Sequence, residues 1–160
     1  MSQQPETLRV RVIGRDDLEL LWRWATDPDV RRISLSPSEI SLESHAKWFR
    51  AKMASPDSRI YVVELAGDPV GQVRYDRVSR AEAEIDVSIA AEHRGKGLGT
   101  RALALTREIA REELDVERVV GIVKVSNPAS SAAFRKAGFS DMEQRLVEDQ
   151  LCDVFCWPSS

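Results

Sequence analysis

The sequence has few of the residues that build metal centres and disulfide frameworks. Among 160 residues there are two cysteines and two histidines. Neither histidine, His45 or His93, lies near a cysteine at the spacing that metal ligands need. In one strand, Cys152 and Cys156 would stand roughly 13 Å apart at about 3.3 Å per residue, beyond the reach of a disulfide. We therefore expect no metal, no disulfide and two cysteines that pack in the core.

An excess of positive charge and long apolar runs are also missing. There are 23 Lys and Arg against 26 Asp and Glu, a net charge of −3, so there is no global positive field to attract nucleic acid or an anionic membrane. No run approaches the roughly 18 apolar residues that span a bilayer, and Met1–Thr7 is polar rather than signal-like. These absences predict a cytoplasmic protein without nucleic-acid or membrane partners.

The composition that remains is that of one globular domain. Apolar residues make up 42% and charged residues 31% of the chain, and no linker, repeat or low-complexity run interrupts it. We expect a single domain over residues 1–160, with its core at about 7–157.

Hydrophobic periodicity predicts a mixed α/β order of elements. The apolar residues of the third and fourth predicted helices form stripes at Leu42, Ala46, Phe49 and Met53, and at Leu98, Ala102, Leu105 and Ile109. The predicted elements are a strand at Leu8–Val12, a helix capped by Asp16, a short turn after Asp27-Pro28, a loop at Ser36–Ser38, a helix capped by Ser41, strands at Ile60–Leu65, Val70–Tyr75 and Ala83–Ala90, a helix from Leu98 to about Glu112, a strand at Val119–Lys124, a helix at Asn127–Ala137, and strands at Phe139–Leu146 and Leu151–Trp157.

A glycine-rich loop lies where the strand ending at Ala90 passes into the next helix. The run Arg94-Gly95-Lys96-Gly97-Leu98-Gly99 lets successive backbone N–H groups point at one ligand, and the helix N-terminus adds about half a positive charge. Such a cradle suits a pyrophosphate, although glycines in this place can also serve only a tight turn. The spacing fits neither a Walker A loop nor the Gly-x-Gly-x-x-Gly dinucleotide fingerprint.

This loop resembles the Arg/Gln-x-x-Gly-x-Gly/Ala loop of the GNAT N-acetyltransferase family, which binds the pyrophosphate of acetyl-CoA. About 30 residues later, the segment Asn127–Phe139 is similar to the family's segment in which an Asn after the fifth strand contacts the pantetheine arm. The resemblance covers roughly residues 7–157.

The resemblance implies a single-domain GNAT fold of the α/β (α+β) class. Its central sheet would be mixed, mostly antiparallel, with six to seven strands flanked by helices and a V-shaped splay between strands 4 and 5. Acetyl-CoA would enter as cosubstrate, and no metal would be needed. The cofactor-binding residues implied are Ile89, Arg94, Gly95, Lys96, Gly97, Leu98, Gly99, Thr100, Asn127, Ser130 and Phe134.

The implied chemistry is direct attack of a bound amine on the thioester. Backbone N–H groups near Ile89 would hydrogen-bond the thioester carbonyl and then the oxyanion. Glu84, Asp86 and Ser88 share one face of their strand, and Glu84 aligns best with an acidic position that serves as the base in many members. A solvated or ion-paired face, with Arg74 opposite, is an equally open interpretation of Glu84 and Asp86.

One position departs from the family pattern. Many members place a Tyr in the later helix as general acid, and Phe134 stands there in this sequence. A thiolate with a pKa near 8.5 departs with little help, so we assign no general acid. The tyrosines present, Tyr61 and Tyr75, are expected to pack in the core.

The segment between the first two strands resembles that of acetyltransferases that modify 4-amino sugars on UDP in pseudaminic acid synthesis. The similarity lies in residues 21–24, 27–31, 40–41 and 43–49, and residues 71–74 of a later strand are similar to that group too. It implies a small amine as substrate, a nucleotide-linked amino sugar. Trp24, His45 and Trp48 would stack on a sugar or uracil ring, and Arg31 or Arg32 would meet a diphosphate.

Structural roles compete for some of these residues. Trp22 and Phe49 continue apolar helix faces and are expected in the core, whereas His45 lies beside its stripe and is expected to be exposed or to face the cleft. Two rival functions are a protein N-terminal acetyltransferase of the ribosomal-protein type and a non-catalytic acyl-CoA-binding module. An exposed final strand at Asp153–Trp157 would allow a homodimer.

Overall fold

The computed structural model describes residues 7–34 and 39–159, and the loop predicted at Ser36–Ser38 falls outside them. The described residues form eight strands and five α-helices. In chain order these are β1 (Leu8–Val12), α1 (Leu18–Ala25), α2 (Pro28–Ile33), α3 (Leu42–Ala54), β2 (Ser58–Leu65), β3 (Asp68–Arg77), β4 (Glu82–Ile89), α4 (Leu98–Glu113), β5 (Arg118–Lys124), α5 (Pro128–Lys136), β6 (Ser140–Asp141), β7 (Arg145–Val147) and β8 (Gln150–Trp157).

The strands form one mixed, mostly antiparallel sheet, which confirms the predicted fold class. Its order is β1-β2-β3-β4-β5-β8-β6, and β7 also pairs with β8. Only β4 and β5 are parallel among these neighbours. The predicted strand Phe139–Leu146 is divided into β6 and β7, so the described sheet has one strand more than the six to seven expected.

Helices cover the sheet on both faces. The larger core joins α4 and α5 to the sheet and includes Tyr75, Leu103 and Phe134. The smaller core joins α1 and α3 to β2 through Leu21, Phe49 and Ile60. Helices α1, α3, α4 and α5 thus each bury one face against the sheet.

The sheet opens between β4 and β5, as predicted. Glu82–Ile85 pairs with Arg118–Gly121, and the ladder between these two strands ends there. Beyond that point β4 stays paired with β3 up to Ile89, while β5 stays paired with β8 up to Lys124. The two strands therefore diverge into a V.

The predicted stripe of α3 is wrong in its orientation. Leu42 is 42% and Met53 41% exposed, whereas His45 and Phe49 are buried. Spacing identifies an apolar face, but the positions of α1 and β2 decide which turns of the helix are covered.

The predicted stripe of α4 is also partly wrong. Leu105 and Ile109 are each 42% exposed, and Thr106 is fully buried between them. The Thr106 hydroxyl donates to the Ala102 carbonyl at 2.8 Å and lies 2.7 Å from the Tyr75 hydroxyl. These hydrogen bonds let a polar residue occupy the core, which a search for apolar spacing misses.

Two further predictions are wrong. The residue that organises the first helical turn is Asp17, not Asp16, because its carboxylate accepts the Gly14 N–H at 2.7 Å.

The final strand is not an exposed edge, since β5 flanks β8 along Cys152–Trp157 and β6 and β7 flank its other side. No open strand edge is left at Asp153–Trp157 for a second copy.

The cysteines and tyrosines lie where the sequence predicts. Cys152 and Cys156 are free and buried. Tyr61 and Tyr75 are also buried, and burial is the main cause that raises the pKa of each phenol far above its ordinary value. Both tyrosines are therefore structural.

Candidate active site

The V between β4 and β5 continues into a cleft of about 1230 Å³ that reaches both faces of the sheet. One end is lined by the glycine loop and the start of α5, and the other by α1, α2 and α3. Every predicted cofactor and acceptor residue except Lys96 lines this cleft. The structure thus brings together residues that the sequence separates by up to about 110 positions.

The glycine loop needs its glycines for backbone conformation. Gly95 and Gly97 have φ values of +79° and +74°, which L side chains rarely adopt, and an added Cβ at either would meet nothing within 4 Å. Gly97 is the N-cap of α4, so no side chain caps this helix, and its first turn has no acidic residue. The N–H groups of that turn remain available to an anion, so the cradle fits a pyrophosphate.

The other loop residues hold the cradle in place or border it. Leu98 is buried and anchors the first turn of α4, while Lys96 is exposed beside the loop and Thr100 is half-buried. A Cβ on Gly99 would come within 3.9 Å of the Ile89 side chain and 4.0 Å of Ala133. The loop therefore lies close to both β4 and α5.

The backbone of Ile89 faces the opening. The Ala90 N–H donates a hydrogen bond to the Val70 carbonyl in β3 at 2.8 Å. Because successive residues of a strand direct their N–H and C=O groups to opposite edges, those of Ile89 point away from β3. The Ile89 carbonyl accepts a hydrogen bond from Arg94 Nε at 2.9 Å. The Ile89 N–H points to the same side, where β5 has already diverged.

Arg94 is held by two carboxylates as well as by Ile89. Its terminal nitrogens lie 3.2 Å from Asp29 and 3.3 Å from Asp27. The sequence predicts a pyrophosphate role for this side chain, and it gives no sign of these two partners.

Asn127 and Ser130 form the start of α5. The Asn127 side-chain oxygen accepts the Ser130 N–H at 3.4 Å, and Pro128 occupies the first helical turn. Both residues line the cleft, and the Asn127 amide retains N–H groups that can donate to a ligand.

Phe134 is 2% exposed and belongs mainly to the core. Its ring stacks on Phe155 at 5.5 Å and meets Phe139 edge-on at 5.0 Å. The ring also lies directly over Gly121, where an added Cβ would come within 2.3 Å of it. A hydrocarbon ring in this place supplies no proton to a leaving group.

The polar face of β4 borders the end of the cleft that α1, α2 and α3 line. Glu84 is half-buried and has no hydrogen-bond or ion-pair partner in the described part of the chain. Asp86 accepts a hydrogen bond from Gln72 Nε2 at 2.9 Å and lies 3.9 Å from Arg74. The ion-paired interpretation thus fits Asp86 better than Glu84.

A polar network that the sequence interpretation missed lies beside these carboxylates. Asp76 accepts from Lys52 Nζ at 2.7 Å, from Ser58 Oγ at 2.6 Å and from Arg74 Nε at 2.8 Å. Burial acts to raise the pKa of Asp76, but these partners outweigh it and hold the pKa below its usual value. The alternation of Gln72, Arg74 and Asp76 along β3 is the sequence feature that could have indicated this network.

The end of the cleft formed by α1, α2 and α3 has aromatic and basic side chains. Trp24 and Trp48 are half-buried against the smaller core, and the Arg74 guanidinium lies 5.1 Å from the Trp48 ring centre. Arg31 also lines the cleft. By contrast, the Trp22 indole N–H donates to the Ile40 carbonyl at 3.1 Å, which is a structural role.

His45 is only 3% exposed, so of the two positions expected for it the exposed one is wrong, and the residue borders the cleft. Its Nε2 lies 3.0 Å from the Leu18 carbonyl. Burial lowers the pKa of His45 despite this carbonyl. The residue is therefore a neutral link between α1 and α3.

In 7–34 and 39–159, no group of three His, Cys, Asp or Glu side chains is placed to hold a metal ion. No helix within those ranges is long and apolar enough to cross a membrane.

Comparison with known proteins gives consistent matches. The chain is 25% identical over 145 residues to spermidine N(1)-acetyltransferase of Escherichia coli K12, covering 89% of this chain and 77% of that protein. Its fold matches the Vibrio cholerae spermidine N-acetyltransferase complex with CoA and spermine, with TM-score 0.79 and 21% identity over 93% and 92% of the two chains. It also matches aminoglycoside acetyltransferase AAC(6')-Ib in complex with CoA and kanamycin, with TM-score 0.80 and 19% identity over 94% of each chain.

These relatives carry the names of polyamine and aminoglycoside enzymes, so the resemblance to the UDP-amino-sugar subgroup stays a prediction. The family itself is settled by a match of residues 7–140 to the acetyltransferase (GNAT) domain. The chain belongs to the GNAT family of N-acetyltransferases, and acetyl-CoA is its acetyl donor.

Proposed function

We propose that this enzyme acetylates the primary amine of a nucleotide-linked amino sugar. The observation that carries the proposal is the charge of the cleft. Its described lining has six Arg and Lys side chains and four Asp and Glu side chains. The carboxylates are Asp29, Asp76, Glu84 and Asp86.

Two of these four carboxylates are already neutralised. Asp29 pairs with Arg32 and Arg94, and Asp76 pairs with Lys52 and Arg74. A polyamine or aminoglycoside carries several ammonium groups and needs several free carboxylates. Of the other two, Asp86 lies 3.9 Å from Arg74, so Glu84 is the carboxylate left without an ion-pair partner among the described residues, which suits an acceptor with one amine.

The part of the acceptor molecule remote from its amine would carry negative charge. Arg31 and Arg32 belong to α2, whose residues line the acceptor end of the cleft. Guanidinium groups recognise a diphosphate through paired N–H donors. Trp24 and Trp48 would supply flat apolar surface for a sugar or base ring. His45 would support this wall from behind rather than stack on the ligand.

The acetyl-CoA arm would lie in the V with its pyrophosphate on the N–H groups of the glycine loop, beside Lys96 and Thr100. Asn127 and Ser130 would border the pantetheine, and Phe134 would form part of its apolar floor. The Ile89 N–H would donate to the thioester carbonyl oxygen and to the oxyanion that forms there.

Proton transfer depends on the amine. An amine with a pKa near 10.4 costs about 4 to 5 kcal/mol to deprotonate at pH 7, whereas one near 8 costs about 1 kcal/mol. Glu84, the unpaired carboxylate, would accept this proton directly or through water. As the new C–N bond forms, the C–S bond breaks and CoA leaves as a thiolate that takes a proton from solvent.

Thiol release from acetyl-CoA tests the proposal against its rivals. The acceptors are a UDP-linked 4-amino sugar, spermidine, kanamycin, short peptides with free amino termini, and buffer alone. We expect turnover with the nucleotide sugar to exceed that with every other acceptor. Faster turnover with spermidine, kanamycin or a peptide would overturn the choice of substrate. Binding of acetyl-CoA without turnover of any amine would favour the non-catalytic module.

A further inference from the structure

Arg94 joins three separate parts of the cleft. Its Nε donates to the Ile89 carbonyl at the end of β4, and its two terminal nitrogens reach Asp27 and Asp29. Asp27 is the N-cap of α2, where its other oxygen accepts the Asp29 N–H at 2.8 Å. The residue that opens the glycine loop is thus bound to the first turn of α2.

Helix α2 depends on polar contacts for its position. It has six residues, and none of them is buried. Nevertheless, residues 29–33 all line the cleft. A helix without a buried face has little hydrophobic packing to fix it against the rest of the fold, so polar contacts, among them the ion pairs at its first turn, contribute more to its position.

The positive charge of Arg94 is already neutralised by neighbouring carboxylates. One guanidinium faces two carboxylates, and the Asp27 and Asp29 side chains are 20% and 52% exposed. Little net positive charge remains to attract a pyrophosphate, and Nε is occupied by Ile89. The free N–H groups of the loop and Lys96 carry no such partners among the described residues.

We propose that Arg94 is a positioning residue that fixes α2 to the carboxyl end of β4, and that it is not a principal pyrophosphate ligand. The same side chain holds the Ile89 carbonyl, which lies on the side of β4 to which the Ile89 N–H also points. The description of α2 as the acceptor wall rests on the proposed function; the link between α2, Arg94 and β4 does not.

The test compares Asp27→Asn/Asp29→Asn with Arg94→Gln and with the triple variant. Asn is as good an N-cap as Asp, so the double variant removes the two charges and leaves the start of α2 capped. The rate of amide hydrogen exchange over residues 28–33 measures how stably α2 is held in its position. Calorimetric titration with CoA alone reports the cofactor site, and neither measurement needs an acceptor.

We expect exchange in α2 to become about fivefold faster in Arg94→Gln, the size expected for two exposed ion pairs, and at least as much faster in the double variant, which also loses the Asp29–Arg32 pair. Exchange in the triple variant should be no faster than in the double variant. The Kd for CoA should change less than twofold in all three variants. A tenfold or larger rise in that Kd with Arg94→Gln, or unchanged exchange in α2, would overturn the proposal.

A charge-matched control is Asp16→Asn/Asp68→Asn. Both aspartates are exposed and lie outside the cleft lining, so exchange in α2 and CoA binding should stay at wild-type values. Equal acceleration of α2 in this control would show a general charge effect and contradict the proposal. Failure of wild-type protein to bind CoA would instead contradict the proposed cofactor site.

Discussion

At the scale of single residues, the environment of each side chain decides its role more than its type does. Phe134 and Glu84 both lie along the cleft, but Phe134 is enclosed by two aromatic rings and Glu84 has no described partner. The first residue is therefore mainly structural. The second is the carboxylate that can accept a proton from the substrate.

Glu84→Gln tests the proposed base. At pH 7 we expect kcat to fall about 100-fold, because general base catalysis typically contributes 10²- to 10⁴-fold. The loss should shrink as pH rises past the pKa of the amine, since the amine then enters already deprotonated. Asp86 is the next residue on the same face of β4. Asp86→Asn should have a smaller effect because Gln72 and Arg74 already hold that carboxylate. An unchanged pH-rate profile in Glu84→Gln would make Glu84 structural.

Gly121→Ala tests the packing under Phe134. The new methyl group would overlap the Phe134 ring at 2.3 Å, so we expect the free energy of unfolding to fall by about 1 to 3 kcal/mol. Urea denaturation measures it. Gly99→Ala is the matched control for stability, because its Cβ would meet neighbours only at ordinary contact distance, 3.9 to 4.0 Å. Equal stability of the two variants would contradict this account of Phe134.

At the scale of elements, the sequence predicts where helices and strands lie better than it predicts how they turn toward each other. The strand-loop-helix order follows from the glycine run and from alternation, and the V between β4 and β5 is implied by the resemblance to the GNAT family. The faces of α3 and α4 do not, because Leu42, Leu105 and Ile109 are apolar yet uncovered. Burial of His45 and Thr106 depends on hydrogen-bond partners far away in the sequence.

Gly97→Trp tests the loop at the start of α4. A bulky residue at φ +74° would strain the turn and fill the space in front of the free N–H groups, so the Kd for acetyl-CoA should rise at least about tenfold. Gly67→Trp is the matched control, since Gly67 has a φ of +88° and equally open surroundings but lies in the β2-β3 turn. Unchanged affinity in Gly97→Trp would refute the placement of the pyrophosphate.

His45→Gln tests the contact between α1 and α3. Burial lowers the pKa of His45 in the folded state, so the unfolded chain binds the proton first as pH falls below about 6.5. Wild-type stability should therefore decrease below that pH, and the decrease should be smaller in the variant, whose amide can still donate to Leu18. Urea denaturation between pH 5 and 7.5 measures the difference. Parallel curves would show that His45 does not contribute.

At the scale of the whole molecule, the sequence predicts the family and the cofactor end of the site better than the acceptor end. The glycine loop and Asn127 are local motifs, so their chemistry is visible in a few consecutive residues. The acceptor end is assembled from α1, α2, α3, β3 and β4, and its charge depends on pairs such as Arg94 with Asp27, 67 residues apart. Such pairs leave no local pattern.

The most direct test of the central claim is mass spectrometry of a UDP-linked 4-amino sugar after incubation with the enzyme and acetyl-CoA. We expect a product heavier by one acetyl group, carried on the amine, and formed faster than acetylated spermidine at equal acceptor concentration. A nucleotide sugar of unchanged mass, while spermidine in the same tube is acetylated, would contradict that claim.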